Sequence, residues 1–326
     1  MLLSEREMAP VADGLANSQF LRDVLAGLQT RPRAIPARWF YDRRGSELFE
    51  AITELPEYYP SRTERALLAE HGKEIAAIAG AGRVVVEFGS GSSAKTPLLL
   101  SAIEPAAYIP IDISGDFLRE SAAALGRSFP SLRIQPLEAD FTGPLSLPAA
   151  HGAPRLGFFP GSTIGNLVAP AAVDLLRAMA GTLGESALLL IGIDRVKDDK
   201  VLVPAYNDAS GVTAAFNLNL LHRINRELEG TVPVKAFEHL AHWNDFASRI
   251  EMHLRATKDV QFTVAGRPFS LKKGETLHTE NSIKYGPRDA RVLLRDGGWE
   301  PVAEWSDRES LFSLILAAAS PMPSAP

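Results

Sequence analysis

Val84-Val85-Val86-Glu87-Phe88-Gly89-Ser90-Gly91-Ser92-Ser93-Ala94-Lys95-Thr96 is the stretch that decides how this chain folds. A continuous β-branched run is what a parallel strand shows when both of its faces are covered. Two glycines follow one residue apart, where the chain must turn tightly and admit a ligand to its backbone. An α/β protein builds a nucleotide-type cofactor site in this way, at the C-terminal end of its first strand. Gly89, Gly91 and Ala94 satisfy the dinucleotide fingerprint G-x-G-x-x-[G/A], which seats a pyrophosphate at a helix N-terminus. A tight turn with no ligand is the plain alternative.

The same residues look like the first motif of S-adenosylmethionine methyltransferases. There the acidic residue two before the first glycine, here Glu87, belongs to the pattern. That ligand carries a cationic sulfonium and a zwitterionic amino-acid end, and no phosphate. An acidic residue at the strand end suits a cation and repels a pyrophosphate at close range. The methyltransferase reading is therefore preferred to an NAD-dependent oxidoreductase.

The chain has 326 residues, 46% of them apolar, enough for a sizeable core and for two domains. A net charge of −5 disfavours a general nucleic-acid binder. No apolar run reaches the length of a membrane span, and the acidic N-terminus lacks the apolar core of a secretory signal. There are no cysteines, so disulfides, thiolate metal sites and cysteine nucleophiles are excluded. A cytoplasmic monomer that binds neither nucleic acid nor membrane is expected.

Outward from the glycines, strands and helices alternate. A helix over Ser61–Ala79 is expected, with Ser61-Arg62-Thr63-Glu64 as a capping box. Strand Arg83–Phe88, helix Ala94–Ile103, strand Ala107–Asp112, helix Ser114–Ser128 and strand Leu132–Leu137 follow. Strand Leu156–Phe159, helix Pro170–Leu183 and strand Ala187–Ile193 close the series. This rhythm implies a parallel, doubly wound sheet. After Asp194 it changes: a long helix over Ala209–Leu228, then strands around Ile250–Leu254 and Val260–Val264. A helix over Ala290–Asp296 and strands Trp299–Trp305 and Leu311–Ala318 resemble those that finish a methyltransferase sheet. The expected fold is α/β, a Rossmann-like class I methyltransferase sheet with a second, smaller α+β substrate domain. The cofactor domain would comprise 61–194 with 287–320, and the substrate domain 1–60 with 195–286. The first fifteen residues and Pro321–Pro326 look loose.

Several residues suit chemistry. Asp112 ends the second strand, where an acid binds ribose hydroxyls, although a helix cap is the alternative. Asp140 and Phe141 could meet an adenine through a carboxylate and a backbone N–H; alone, such a pair is usually a loop turn. Lys95 by itself would read as a solvated lysine. Gly161-Ser162-Thr163-Ile164-Gly165-Asn166 follows the fourth strand and looks like a substrate loop or a plain turn. Tyr58 and Tyr59, between Pro56 and Pro60, suit a pocket wall with phenol donors, or simple packing. His239, His242 and His253 hint at metal, but no H-E-x-x-H is present and the spacing is not diagnostic, so no metal site is expected.

These pieces resemble the histidine-specific methyltransferase family, the L-histidine Nα-methyltransferases of the ergothioneine pathway. The matching segments are Trp39–Asp42, Leu55–Pro60, Glu87–Thr96, Gly161–Leu167, Ala205–Asn217, Phe237–Met252 and Thr279–Tyr285. They span nearly the whole chain in order. The resemblance implies that Gly89, Lys95, Asp112, Asp140 and Phe141 bind S-adenosylmethionine. It implies that Asn166 and Tyr206 hold the carboxylate of free L-histidine. Tyr58, Glu280 and Ser282 would address the imidazole, and Met252 would shape the pocket. Gly161, through its carbonyl, and Tyr41 would orient the amine. The implied reaction is successive trimethylation to hercynine, without a metal. A methyltransferase for another amino acid or a protein, and a non-enzymatic cofactor-binding module, are the competing readings.

Overall fold

The computed structural model describes residues 9–143, 145–149 and 152–320. In chain order its elements are α1 (Ala9–Gln29), β1 (Arg33–Ala34), α2 (Arg43–Thr53), α3 (Tyr59–Ala79), β2 (Val84–Phe88), α4 (Thr96–Ile103), β3 (Ala107–Asp112), α5 (Gly115–Ser128), β4 (Arg133–Ile134), β5 (Leu137–Glu138), β6 (Arg155–Phe159), α6 (Ala169–Leu183) and β7 (Leu188–Asp194). They continue with α7 (Asp199–Ala205), α8 (Val212–Glu227), β8 (Phe237–Asn244), β9 (Arg249–Ala256), β10 (Val260–Val264), β11 (Arg267–Leu271), β12 (Thr276–Ile283), α9 (Pro287–Asp296), β13 (Trp299–Ser306) and β14 (Phe312–Ala319). Of the ends expected to be loose, residues 1–8 and Pro321–Pro326 lie outside the described residues, while the backbone from Ala9 onward is helical. Among the described residues no helix is long and apolar enough to cross a membrane.

The chain divides into two units. One comprises the chain through Phe49, Tyr206–His242 and Glu251–Glu280; the other comprises Glu50–Ala205, Trp243–Ile250 and the chain from Asn281 onward.

In the second unit the glycine stretch does what its composition dictates. All five residues of β2 are buried, because the strand lies centrally between β3 and β6. The sheet order is β13-β14-β7-β6-β2-β3-β4, with β5 also paired to β3. β4, β3, β2, β6 and β7 run parallel, and β14 and β13 close the edge antiparallel. This is the expected Rossmann-like methyltransferase sheet, finished by α9 and two strands. Alternate β2 residues face opposite layers: Val84, Val86 and Phe88 pack with α6, while Val85 packs with α3 and α4. The chain leaves β2 for β3 on one side and later fills the other side with β6. A ligand crevice opens at such a switch point, beyond the carboxyl ends of the strands.

Three expectations need correction here. The capping box does not form: α3 begins at Tyr59 with Tyr58 in the N-cap position and no side-chain cap bond, so Ser61 and Glu64 already lie inside the helix. Pro60, with its preset φ, starts the helix earlier. The strand over Leu132–Leu137 breaks into two pairs of residues, because Pro136 has no N–H for the ladder. Helix α4 starts at Thr96 rather than Ala94, since Ser93 sits at φ 55°, outside the helical region. Ala94 therefore lies in the loop. The third position of the dinucleotide fingerprint does not pack inside a helix, and that reading loses its geometric basis.

The first unit is built on a four-stranded sheet of order β1-β12-β9-β8, beside a hairpin of β10 and β11. Its helix α8 buries Phe216, Leu220, Leu221 and Ile224 at helical spacing. The Asp208 carboxylate accepts from the backbone N–H of Val212 (2.9 Å) and Thr213 (2.8 Å), which starts the helix at Val212 rather than Ala209. Phe40 packs against Phe216 with ring centroids 4.6 Å apart.

Candidate functional site

At the ends of β2 and β3 the turn residues are pinned to one another. The N–H groups of Gly89 and Ser90 both donate to the Ile111 carbonyl, at 2.9 and 3.0 Å. Asp112 Oδ2 accepts from Gly91 N and Oδ1 from Ser114 N, each at 2.9 Å. The Ile113 N–H also bonds this carboxylate, so of roughly four lone-pair directions about one stays available to a hydroxyl of a ligand. Burial raises the Asp112 pKa against the pull of these N–H groups. Gly89 sits at φ 74°, and a Cβ there would lie 3.3 Å from the Phe141 ring. Phe141 in turn meets Phe159 edge-on at 5.7 Å. Asp140 Oδ1 accepts from both the N–H (2.9 Å) and the hydroxyl (2.6 Å) of Thr142, an Asx turn that sets Phe141 over the glycine. Gly89, Asp112, Asp140 and Phe141 thus gather at one end of the sheet.

Glu87 is placed differently from its expected role. Its carboxyl lies beneath the turn, 2% exposed, and accepts from Tyr108 Oη and from Thr96 Oγ1. Burial, partly offset by those hydrogen bonds, pushes it up to about 7. It braces the turn from below rather than presenting a charge to a ligand.

Lys95 reaches Glu64, the last residue of the expected capping box. Its Nζ pairs with Glu64 Oε2, and the Gly161 N–H donates to the same carboxylate at 2.9–3.0 Å. Glu64 is fully buried. A Cβ on Gly192 would stand 2.2 Å from Glu64 Oε1, so glycine makes room for it. One carboxylate therefore ties the lysine after the glycine turn to the loop after β6, at its second residue. The signal was present: Glu64 shares an inward helix stripe with Leu67, Leu68 and Ile75. A charge on such a stripe must be paired.

The loop after β6 winds into a short 3₁₀ turn over Thr163–Asn166, entered through Ser162 at φ 55°. A Cβ on Gly165 would meet the Ile283 carbonyl at 2.7 Å, so half-buried Asn166 follows directly on a close contact with the strand carrying Ser282. Beside it lies a second charged cluster the sequence did not reveal. Asp194 ends β7, 1% exposed, and accepts from Tyr59 Oη (2.8 Å), Lys284 Nζ (2.6 Å) and Lys197 Nζ (2.5 Å). Its N–H donates to Ser162 Oγ at 2.9 Å, and Lys284 Nζ donates to Ser282 Oγ at 2.7 Å. Burial raises the Asp194 pKa, but the two ammonium groups outweigh it and leave it low. Burial brings Lys197 down to about 8. Tyr58, 8% exposed, precedes Tyr59 at the start of α3.

The remaining candidates belong to the first unit. Tyr41 packs edge-on against Phe49 and Phe216, each at 5.7 Å. The Tyr206 carbonyl accepts from His239 Nε2 (2.8 Å), and Asn217 Nδ2 donates to His239 Nδ1 (2.9 Å), which fixes a neutral imidazole. The Met252 carbonyl accepts from Thr279 Oγ1 at 3.0 Å, so Met252 on β9 adjoins the residue before Glu280 on β12. The Glu280 carbonyl accepts from His278 Nε2 at 3.0 Å. Of the histidines weighed for metal, His239 is thus committed elsewhere. His242 and His253 instead converge on Glu251, their Nε2 atoms 3.5 and 3.0 Å from its Oε2.

The family whose sequence model matches residues 20–319 is described as histidine-specific methyltransferase, SAM-dependent. Histidine N-alpha-methyltransferase of Mycolicibacterium smegmatis is 43% identical over 302 residues, 91% of this chain and 94% of that protein. The protein of the same name from Mycobacterium tuberculosis is 41% identical over 303 residues, again 91% and 94%. Ergothioneine biosynthesis protein 1 of Neurospora crassa is 29% identical over 301 residues, 89% of this chain and 34% of that longer protein. The chain belongs to the histidine-specific, S-adenosylmethionine-dependent methyltransferase family.

Proposed function

We propose that this enzyme transfers three methyl groups in succession from S-adenosylmethionine to the α-amino group of free L-histidine, giving hercynine for ergothioneine biosynthesis. The observation that carries the reading is 43% identity to a histidine N-alpha-methyltransferase across 91% of the chain. The second unit, with Gly89, Lys95, Asp112, Asp140 and Phe141, is the donor side. Asp112 takes the ribose hydroxyls, and Asp140 and Phe141 the adenine.

Asn166 and Tyr206 hold the histidine carboxylate. Tyr58, Glu280 and Ser282 address the imidazole, with Met252 as an apolar limit. A protonated imidazole can donate from both nitrogens, which a glutamate and a serine acceptor recognise. A side chain lacking those donors leaves the acceptors unpaired, and such sites reject analogues strongly. Gly161 and Tyr41 orient the amine so that its lone pair lies in line with the sulfonium methyl. Little acid–base work is then needed beyond presenting a neutral amine, and positioning supplies most of the rate. The reading carries with it a cytoplasmic, monomeric enzyme acting on a free amino acid.

Calorimetry with L-histidine and S-adenosylhomocysteine tests it. Both should bind, and Glu280→Ala should weaken histidine by roughly tenfold or more while leaving adenosylhomocysteine unchanged. Unchanged histidine affinity in that variant would remove Glu280 from the site.

A further inference from the structure

We propose that His242, Glu251 and His253 form a binding site for a divalent transition-metal cation of the zinc type, on the four-stranded sheet of the first unit. No part of methyl transfer to an amine requires it, so the site is additional to the proposed reaction.

The ligand atoms already converge. His253 Nε2 lies 3.0 Å and His242 Nε2 lies 3.5 Å from Glu251 Oε2, and the three ligand atoms fall within 4.8 Å of one another. A tetrahedral zinc ion with bonds of about 2.0–2.1 Å holds its ligand atoms roughly 3.3 Å apart. Two of the three edges are therefore near their metal-bound lengths. The third closes by a swing of His242, whose side chain is the most exposed of the three at 45%. The two imidazole centroids stand 5.2 Å apart. Two imidazoles sharing one tetrahedral ion through Nε2 would place theirs at about the same distance, roughly 5 Å.

The donor set fits one class of cation. Two imidazoles and one carboxylate, with a position left for water, are a set that zinc takes. Imidazole nitrogens favour zinc, copper or nickel over magnesium or calcium, which prefer oxygen. The carboxylate is no casual surface acid, since Glu251 is 8% exposed. The carboxylate holds the ring proton of His253 on Nε2, and on metal binding that proton would move to Nδ1, which is buried without a hydrogen-bond partner. The cation would replace the proton now shared between Nε2 and Glu251.

Position gives the site a consequence. Met252 lies between Glu251 and His253 on β9, and successive side chains on a strand point to opposite faces. A cation held by Glu251, His253 and His242 would clamp β9 to β8 and stiffen the backbone at Met252. This part rests on the proposed role of Met252 beside the substrate; the binding itself does not.

The test is calorimetric titration of the metal-free protein with Zn²⁺, in a weakly coordinating buffer and without histidine, which chelates the ion. One equivalent should bind, with a matching rise in Tm. His242→Ala should weaken binding by about tenfold or more and shrink the Tm rise at equal free Zn²⁺. His222→Ala, at an exposed histidine on α8, should change neither. Substituting Co²⁺ should give the absorption of a tetrahedral site in the wild type but not in His242→Ala. No binding, several weak equivalents, or binding undiminished in His242→Ala would overturn the proposal. None of these outcomes bears on whether histidine is methylated.

Discussion

A carboxylate without solvent is tolerated only when paired and hydrogen-bonded. Glu64 meets that demand through Lys95 and the Gly161 N–H. Glu64→Gln keeps an acceptor for Gly161 but removes the counter-charge of Lys95. The expected result is a drop in kcat of about tenfold with a Tm within a few degrees of wild type, read by steady-state kinetics and thermal unfolding. An unchanged kcat would reduce Glu64 to a structural brace. Glu87 makes a separate prediction about pH. Its folded pKa, about 7, lies above the ordinary 4.5, so the folded state binds the proton more tightly than the unfolded chain. Its contribution to stability is therefore fullest below pH 4.5, declines as pH rises to about 7, and is flat beyond. Glu87→Gln should flatten that decline, as measured by urea unfolding at several pH values between 5 and 8. Asp194 acts with the opposite sign: held low by Lys284 and Lys197, it loses its contribution only in strong acid.

At the scale of elements, the glycine stretch and its neighbours were legible because burial on both faces leaves a plain Val/Ile/Leu signature. β3 and β10 fall where the residues put them. What was not legible followed from single residues overriding the pattern. Pro60 moved the start of α3, Pro136 split the third strand, and Ser93 in the left-handed region delayed α4. At Glu64 a capping-box spacing and an inward stripe look alike until the helix start is known. The 3₁₀ turn after β6 was visible as a loop, but not its reason for being tight. Gly165 leaves no room for a side chain against the Ile283 carbonyl, at 2.7 Å from a built Cβ. Gly165→Ala should displace Asn166 and raise the histidine Kd by roughly tenfold, with adenosylhomocysteine affinity unchanged by calorimetry. Equal loss of both ligands would instead indicate general destabilisation.

At the scale of the whole chain, two units share the candidate residues. The donor set, Tyr58, Gly161, Asn166 and Ser282 lie in one; Tyr41, Tyr206, Met252 and Glu280 lie in the other. Local pattern could find the donor turn, since that chemistry is confined to strand ends. On the acceptor side it offered only Gly161–Asn166 as a loop and Tyr58 as a pocket wall, each with a plain alternative; Tyr41, Tyr206, Met252, Glu280 and Ser282, from segments far apart in sequence, came only through the family resemblance. The family match over residues 20–319 spans both units and establishes a methyltransferase that uses S-adenosylmethionine. The most direct test of the account is the mass of the product formed from L-histidine and S-adenosylmethionine by the purified enzyme. The expected product is the trimethylated betaine, with three adenosylhomocysteines released per histidine consumed. Absence of any trimethylated species, or preference for a peptide or another amino acid over free histidine, would contradict it.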